Sequence, residues 1–166
     1  GKGWLYEGGI REPLIIKWKD KVSPGTISEA LISSVDFLPT FLEMAGGNKT
    51  PENIDGKSFL PVLENNQVEN HNSLFWHYPH YHGGSGMIPA GAVRSGKYKL
   101  IEWYEPKLLN TGNSVELFDL NEDQGETINL SEQLPEKAAE LREMLNNWRI
   151  EVDAQMPTIN KNATPN

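Results

Sequence analysis

The sequence contains no cysteine in 166 residues, which excludes disulfide staples and thiolate metal centres while fitting either redox compartment. Long apolar runs are missing as well. Nothing approaches the roughly 20 residues that a membrane-spanning helix needs, and no signal-peptide pattern opens the chain. There is no initiator methionine, so the chain reads as a fragment or a separately produced domain, and the missing signal says nothing about export. Positive charge is also short: 15 Lys and Arg stand against 23 Asp and Glu, a net charge of −8. The deficit is concentrated, with 11 acidic and 3 basic residues between positions 115 and 153. An acidic face of that kind repels nucleic acid and anionic lipid, so neither a nucleic-acid partner nor a membrane is expected. As a surface it reads as solvated.

What the chain does have is a dense opening, GKGWLYEGGIREP, which packs Lys2, Glu7, Arg11 and four glycines beside Trp4 and Tyr6. Glycines let the backbone approach a ligand or adopt positive φ, and Lys2 and Arg11 supply charge, so such a run builds a loop around an anion. The alternative is a glycine-rich turn leading into a buried strand.

Beyond Pro13, residues 14–18 read as a short apolar strand, followed by a basic loop. A helix is expected from Asp36, whose carboxylate can cap free N–H groups, with Pro39 in the first turn. Leu38, Phe41, Leu42 and Ala45 would form its apolar face and Gly46-Gly47 its end. Residues 48–72 are polar and loop-rich, the expected seam. Four strand-like segments follow at 74–78, 90–94, 97–104 and 115–120, with Ser95-Gly96 as a tight hairpin turn and 110–114 as a second turn. Pro135 suits the first position of a closing helix, in which Ala138, Leu141, Leu145, Trp148 and Val152 make one apolar stripe. A single stripe over a small antiparallel sheet defines an α+β layer.

The motif Lys2, Gly3, Tyr6, Glu7, Gly8, Gly9, Ile10, Arg11 and Pro13 resembles the lysine motif of the sulfatases, K-G-x-x-Y-E-G-G-[IV]-R-x-P. These are the formylglycine-dependent branch of the alkaline phosphatase superfamily. The resemblance continues through SSVDFLPTFLEMAGG, DGKSFLPVL, LFWHYPHYH, GAVRSGKYKLIEWYE and ELFDLNEDQGETINL. It covers only the C-terminal third or so of such an enzyme. It implies that residues 1–47 end the large α/β domain, 48–72 connect, 73–157 form a small C-terminal α+β subdomain and 158–166 a tail. It further implies hydrolysis of an aryl or carbohydrate sulfate by the full-length protein, in the periplasm or outside the cell, on a sulfated small molecule or glycan. The cysteine that becomes formylglycine and the calcium ligands belong upstream in that family. No cofactor or metal is therefore expected in this chain, which should be inactive alone. A phosphatase or phosphonate hydrolase of the same superfamily, and a non-catalytic carbohydrate-binding module, are the other readings.

Carried over by resemblance, Lys2 contacts a sulfate oxygen and helps neutralise the leaving oxygen. Glu7 and Arg11, with Gly8 and Gly9, are expected to shape the loop through an ion pair rather than to react. In FWHYPHYHGG, alternation places His80 and His82 on one face, but without a neighbouring carboxylate they are a weak metal signal. The resemblance makes His77, His80 or Tyr81 a substrate contact at the mouth of the site, against simple aromatic packing as the other reading. Arg94 and Lys97 read as a solvated turn. Sequons occur at Asn48, Asn129 and Asn162. With the large domain missing, the apolar residues of 1–47 are expected to fold back on the sheet or to pair the chain as a homodimer.

Overall fold

The computed structural model describes residues 2–47, 53–64 and 68–162; the sequon at Asn48 lies outside them. The chain forms two compact units, Gly1–Glu12 with Phe75–Asn166, and Pro13–Leu74. These boundaries fall at other positions than the division at 47 and 72 expected from the sequence.

The Pro13–Leu74 unit is organised around Asp36, a fully buried carboxylate. A 3-10 turn, Ser34–Asp36, leads into helix α2, Phe37–Met44. The Asp36 side chain does not cap α2. It accepts instead from the backbone N–H of Ser33 (2.7 Å), the backbone N–H of Lys57 (2.8 Å) and His71 Nε2 (2.9 Å). One turn on, Thr40 donates to the Asp36 carbonyl (2.6 Å) and accepts from the Phe59 N–H (3.0 Å). These bonds set which way α2 faces, and the expected apolar face does not turn inward: Leu38 is 53 % and Phe41 57 % exposed, and Ala45 is exposed, while Pro39 and Thr40 are buried. Gly56 is required where it stands, because a Cβ there would lie 2.0 Å from the Val35 carbonyl oxygen. Phe59 and Val62, at the one-turn helix α3 (Leu60–Glu64), supply the apolar fill, with Phe59 edge-on to Phe37. The expected strand at 14–18 is not formed, and Ile15 is 92 % exposed. A strand exists only where a neighbouring strand takes its backbone hydrogen bonds, and among the described residues this run pairs with no strand.

The other unit carries, from Phe75 on, a four-stranded sheet in the order β1 (Ser73–Tyr78), β2 (Ala90–Ser95), β3 (Tyr98–Trp103), β4 (Val115–Asp119). The β2–β3 and β3–β4 pairs are antiparallel. Because Ser95 pairs with Tyr98, the hairpin loop is Gly96 and Lys97, one residue later than expected, with Gly96 at φ 55°. After β3 the chain makes a short helix, α4 (Tyr104–Leu109), which the sequence reading missed, closed by Asn110 in the left-handed region.

Strict alternation along β2, β3 and β4 sends side chains to two separate cores. Val93, Leu100 and Leu117 meet Ala138, Leu141 and Leu145 of helix α5 (Pro135–Glu151). Trp148 stacks on Phe75 with ring centroids 5.1 Å apart. Val152 does not join this stripe, since α5 ends one residue before it and leaves it 48 % exposed. On the opposite face, Ala90, Ala92, Ile101, Trp103 and Phe118 meet Leu5, Trp4, Tyr6 and Ile10. The glycine-rich opening thus packs against one side of the small sheet while the closing helix covers the other. Burying each large side chain of these cores contributes roughly 1.5–3 kcal/mol.

Candidate functional site

The opening segment is attached to the sheet at successive residues. The Trp4 indole N–H donates to the Ser85 carbonyl (3.1 Å), Leu5 is buried, and the Tyr6 hydroxyl donates to Glu116 Oε2 (2.7 Å). Burial, reinforced by Glu116, pushes the Tyr6 phenol well above its ordinary value and keeps it a donor. Residues Glu7–Ile10 form a single helical turn, α1, in which Gly9 N–H reaches the Tyr6 carbonyl (2.8 Å) and Gly8 is exposed. Lys2, in contrast, projects into solvent at the outer end of this fastened segment.

Glu7 is buried and gathers three cations. Lys99 Nζ lies 3.1 Å from Oε1, and Arg94 and Arg11 lie 3.5 and 3.6 Å from Oε2. The Glu7 N–H donates to Glu126 Oε2 at 2.5 Å, and Glu126 Oε1 stands 2.7 Å from Lys99. Lys99 is entirely buried, so both carboxylates share one desolvated ammonium. Glu7 and Arg11 do form an ion pair, but Lys99 and Glu126 complete it. No sequence signal marked that pair except that a lysine sits in the middle of a central strand, where both faces are covered. Arg94, expected in a solvated turn, instead points inward to Glu7. Lys97 stays at the surface and donates to Asp119 at 2.6 Å, which holds Asp119 below the usual carboxylate range. A cavity of about 440 Å³ lined by Tyr6, Gly8, Gln124, Gly125 and Glu126 includes neither Lys2 nor a histidine.

The histidine-rich loop divides between the two faces. His77 follows Phe75 onto the α5 side: its Nε2 donates to the Gln155 carbonyl (3.0 Å), so Nδ1 accepts from the Tyr104 hydroxyl (2.7 Å). Burial raises Tyr104 to about 12, with Arg149 acting against the rise and Glu102 adding to it. His77 is therefore tied into the fold across the sheet from Lys2, and the structure does not bring the two together. Tyr81 is 66 % exposed, and burial of what remains, followed by the Glu105 carboxylate, raises its phenol. His80 is exposed and meets the edge of Tyr78, whose ring joins the core under the opening segment. His82 comes nearest to the lysine motif. Its loop is closed by a bridge to Met87, and Ser85 donates its Oγ hydrogen toward the Gly3 carbonyl (3.2 Å). Gly3 has φ 92°, and a Cβ there would stand 2.9 Å from Ser85 Oγ.

On the α5 side, Glu102 is fully buried among Lys107 (3.0 Å), Arg142 (2.6 Å) and Arg149 (2.7 Å). Burial alone would raise this carboxylate, but the three cations outweigh it and hold it below its ordinary value. Among the described residues no group of three or more His, Cys, Asp or Glu could hold a metal ion. The buried carboxylates Asp36, Glu7, Glu126 and Glu102 are already taken up by donors of this chain, so they do not fit a calcium site. The chain holds no cysteine.

The C-terminal model of the N-sulphoglucosamine sulphohydrolases matches residues 1–154. This chain belongs to that family of sulfatase C-terminal domains. It is 36 % identical over 92 % of its length to a sulfatase of Formosa agariphila, covering 29 % of that protein. It is 34 % identical to human arylsulfatase A, over 78 % of this chain and 28 % of the enzyme. A protein solved in complex with its substrate D-glucosamine-2-N,6-O-disulfate superposes with a TM-score of 0.77 at 30 % identity, across 93 % of this chain and 31 % of that one. The chain thus spans less than a third of the relatives it matches. No helix among the described residues is long and apolar enough to cross a membrane.

Proposed function

We propose that this chain supplies one cationic arm, Lys2, to the active site of a sulfatase that hydrolyses aryl or carbohydrate sulfate esters. The observation that carries the reading is the contrast within the opening segment: residues 4 to 7 are fastened by hydrogen bonds and burial, while Lys2, just outside them, is left projecting. A lysine mounted in this way offers an ammonium to the non-bridging sulfate oxygens and to the oxygen that takes up the electron pair of the breaking S–O bond. Glu7, Gly8, Gly9 and Arg11 shape the mounting rather than touch substrate. His80 and Tyr81 line the approach. Nucleophile and calcium are contributed by segments outside this chain, in a protein that works in the periplasm or outside the cell, on sulfated glycans or small molecules.

Three measurements test this. The 166-residue chain alone should not turn over 4-nitrophenyl sulfate, and turnover that is lost on changing Lys2 would overturn the division of labour. A full-length protein carrying this chain should cleave 4-nitrophenyl sulfate in preference to 4-nitrophenyl phosphate; the reverse preference would make it a phosphatase. For the isolated chain, exposed Leu14, Ile15, Leu38 and Phe41 favour pairing into a homodimer, which light scattering across a dilution series would reveal as a mass that falls on dilution.

A further inference from the structure

We infer that His82 is a specificity-determining residue, donating its Nε2–H to a hydroxyl or ether oxygen on the leaving-group side of the substrate next to Lys2. The inference rests on the role given to Lys2 above. The backbone N–H of Ser85 lies 3.1 Å from His82 Nδ1. A backbone N–H only donates, so Nδ1 accepts and carries no proton, and the neutral ring must hold its hydrogen on Nε2. Ser85 Oγ lies 3.0 Å from the same nitrogen and 3.2 Å from the Gly3 carbonyl, so its one hydrogen is shared between two acceptors.

The ring is also held in place. The His82 N–H donates to the Met87 carbonyl at 2.9 Å. A Cβ on Gly84 would stand 3.3 Å from His82 Cε1, and one on Gly3 would stand 3.7 Å from it. Cε1 joins the two ring nitrogens, so this edge of the imidazole lies near Gly3, the residue bonded directly to Lys2. Among the described residues Nε2 has no hydrogen-bond partner, and the side chain is exposed. A donor of fixed tautomer, unpaired and close to Gly3, the neighbour of the cation proposed to meet the sulfate, suits an oxygen acceptor near the ester. A sugar ring provides such acceptors and a plain aryl group does not. A site with an aimed donor discriminates between them because the donor is left unpaired by the wrong partner.

Two substitutions separate this role from loop closure. In His82→Asn the side-chain oxygen can still accept from Ser85, but the outer donor is gone; in His82→Gln an amide N–H reaches the outer position and the inner acceptor is lost. Both are made in the full-length protein and assayed with 4-nitrophenyl sulfate and with glucosamine 6-sulfate, galactosamine 6-sulfate and glucosamine 2-N,6-O-disulfate. The inference expects His82→Asn to raise KM for the accepted sugar about tenfold. It should leave kcat/KM for the aryl sulfate within about twofold, and His82→Gln should recover most of the loss. If His82→Asn matches the parent on sugar, loses equally on both kinds of ester, or if the parent cleaves the aryl ester and none of the sugars, the inference is overturned while Lys2 keeps its role. A parent that cleaves no sulfate ester would overturn the proposed function itself.

Discussion

Strand β3 buries a charged residue toward each face, and the two surroundings differ in what they hold. Toward α5, Glu102 draws Lys107, Arg142 and Arg149 together and so fixes a helix to the sheet. Toward the opening segment, Lys99 draws Glu7 and Glu126 together and so fixes a glycine turn five residues from an exposed lysine. The first cluster joins three regular elements, β3, α4 and α5, of which β3 and α5 already share an apolar core, and its loss should be felt as stability. The second joins irregular segments whose geometry no ladder dictates, and its loss should be felt at Lys2.

The largest effect expected on this comparison is at Glu102. Glu102→Ala leaves three cations facing one another, one of them Arg149, which is 5 % exposed and whose Nε and Nη2 already have no hydrogen-bond partner among the described residues. Removing one partner of a buried ion cluster costs about 3–5 kcal/mol, measurable by urea unfolding of the purified chain. A loss below about 1 kcal/mol would mean that water already reaches the cluster. The acid limb gives a second reading. Glu102 is held below its ordinary 4.5 in the fold, so its contribution is complete above that value and disappears as pH falls through it toward the lowered one. Stability should stay level from neutrality to about pH 5 and then drop. Glu102→Gln should flatten that drop.

Lys2→Ala is the next in size and of the opposite kind. In a full-length sulfatase it should lower kcat by on the order of a hundredfold, about 2.7 kcal/mol of transition-state stabilisation. Since the side chain is exposed, the melting temperature should hardly move. Near-normal kcat with lost thermal stability would make the segment a scaffold. Between these extremes, Glu126→Gln keeps the shape and weakens the hold on Lys99 and on the Glu7 N–H. A drop in both unfolding free energy and kcat is expected, each smaller than in the two variants above. Full kcat beside reduced stability would erase the distinction between the faces.

The regular part of this fold was legible in sequence because it obeys periodicity. Four strands, the proline that opens α5 and the Ala138, Leu141 and Leu145 stripe fall where alternation and spacing place them. The charged residues inside the sheet were not, because Lys99 and Glu102 look like the polar half of an alternating strand. Only the strand's central position, covered on both faces, turns them inward. The exposed face of α2 and the unpaired 14–18 run failed for a related reason: apolar pattern states what can be buried, not what is present to bury it. Within the candidate site, the motif itself was readable, and so was the pairing of Glu7 with Arg11. The tie between Gly3 and the His82 loop spans some 80 positions and leaves no local signal.

Two glycines at positive φ offer the finest test of the comparison. Gly96, at φ 55°, sits in the open hairpin turn with nothing within 4 Å of a Cβ, whereas Gly3, at φ 92°, would press a Cβ to 2.9 Å from Ser85 Oγ. Both substitutions to alanine force an L side chain into a left-handed conformation, at roughly 1 kcal/mol or more. At Gly96 that strain is carried by β2 and β3, so the unfolding free energy should fall by about that amount with kcat unchanged. At Gly3 the chain has a cheaper escape, since the segment outside Trp4 can shift and relieve both the φ and the contact with Ser85. Stability should then be nearly unchanged while kcat falls about threefold to tenfold through a displaced Lys2. Equal effects of the two alanines on kcat would show that the outer end of the segment needs no fixed geometry, and Lys2 would act as a tethered charge rather than an aimed one.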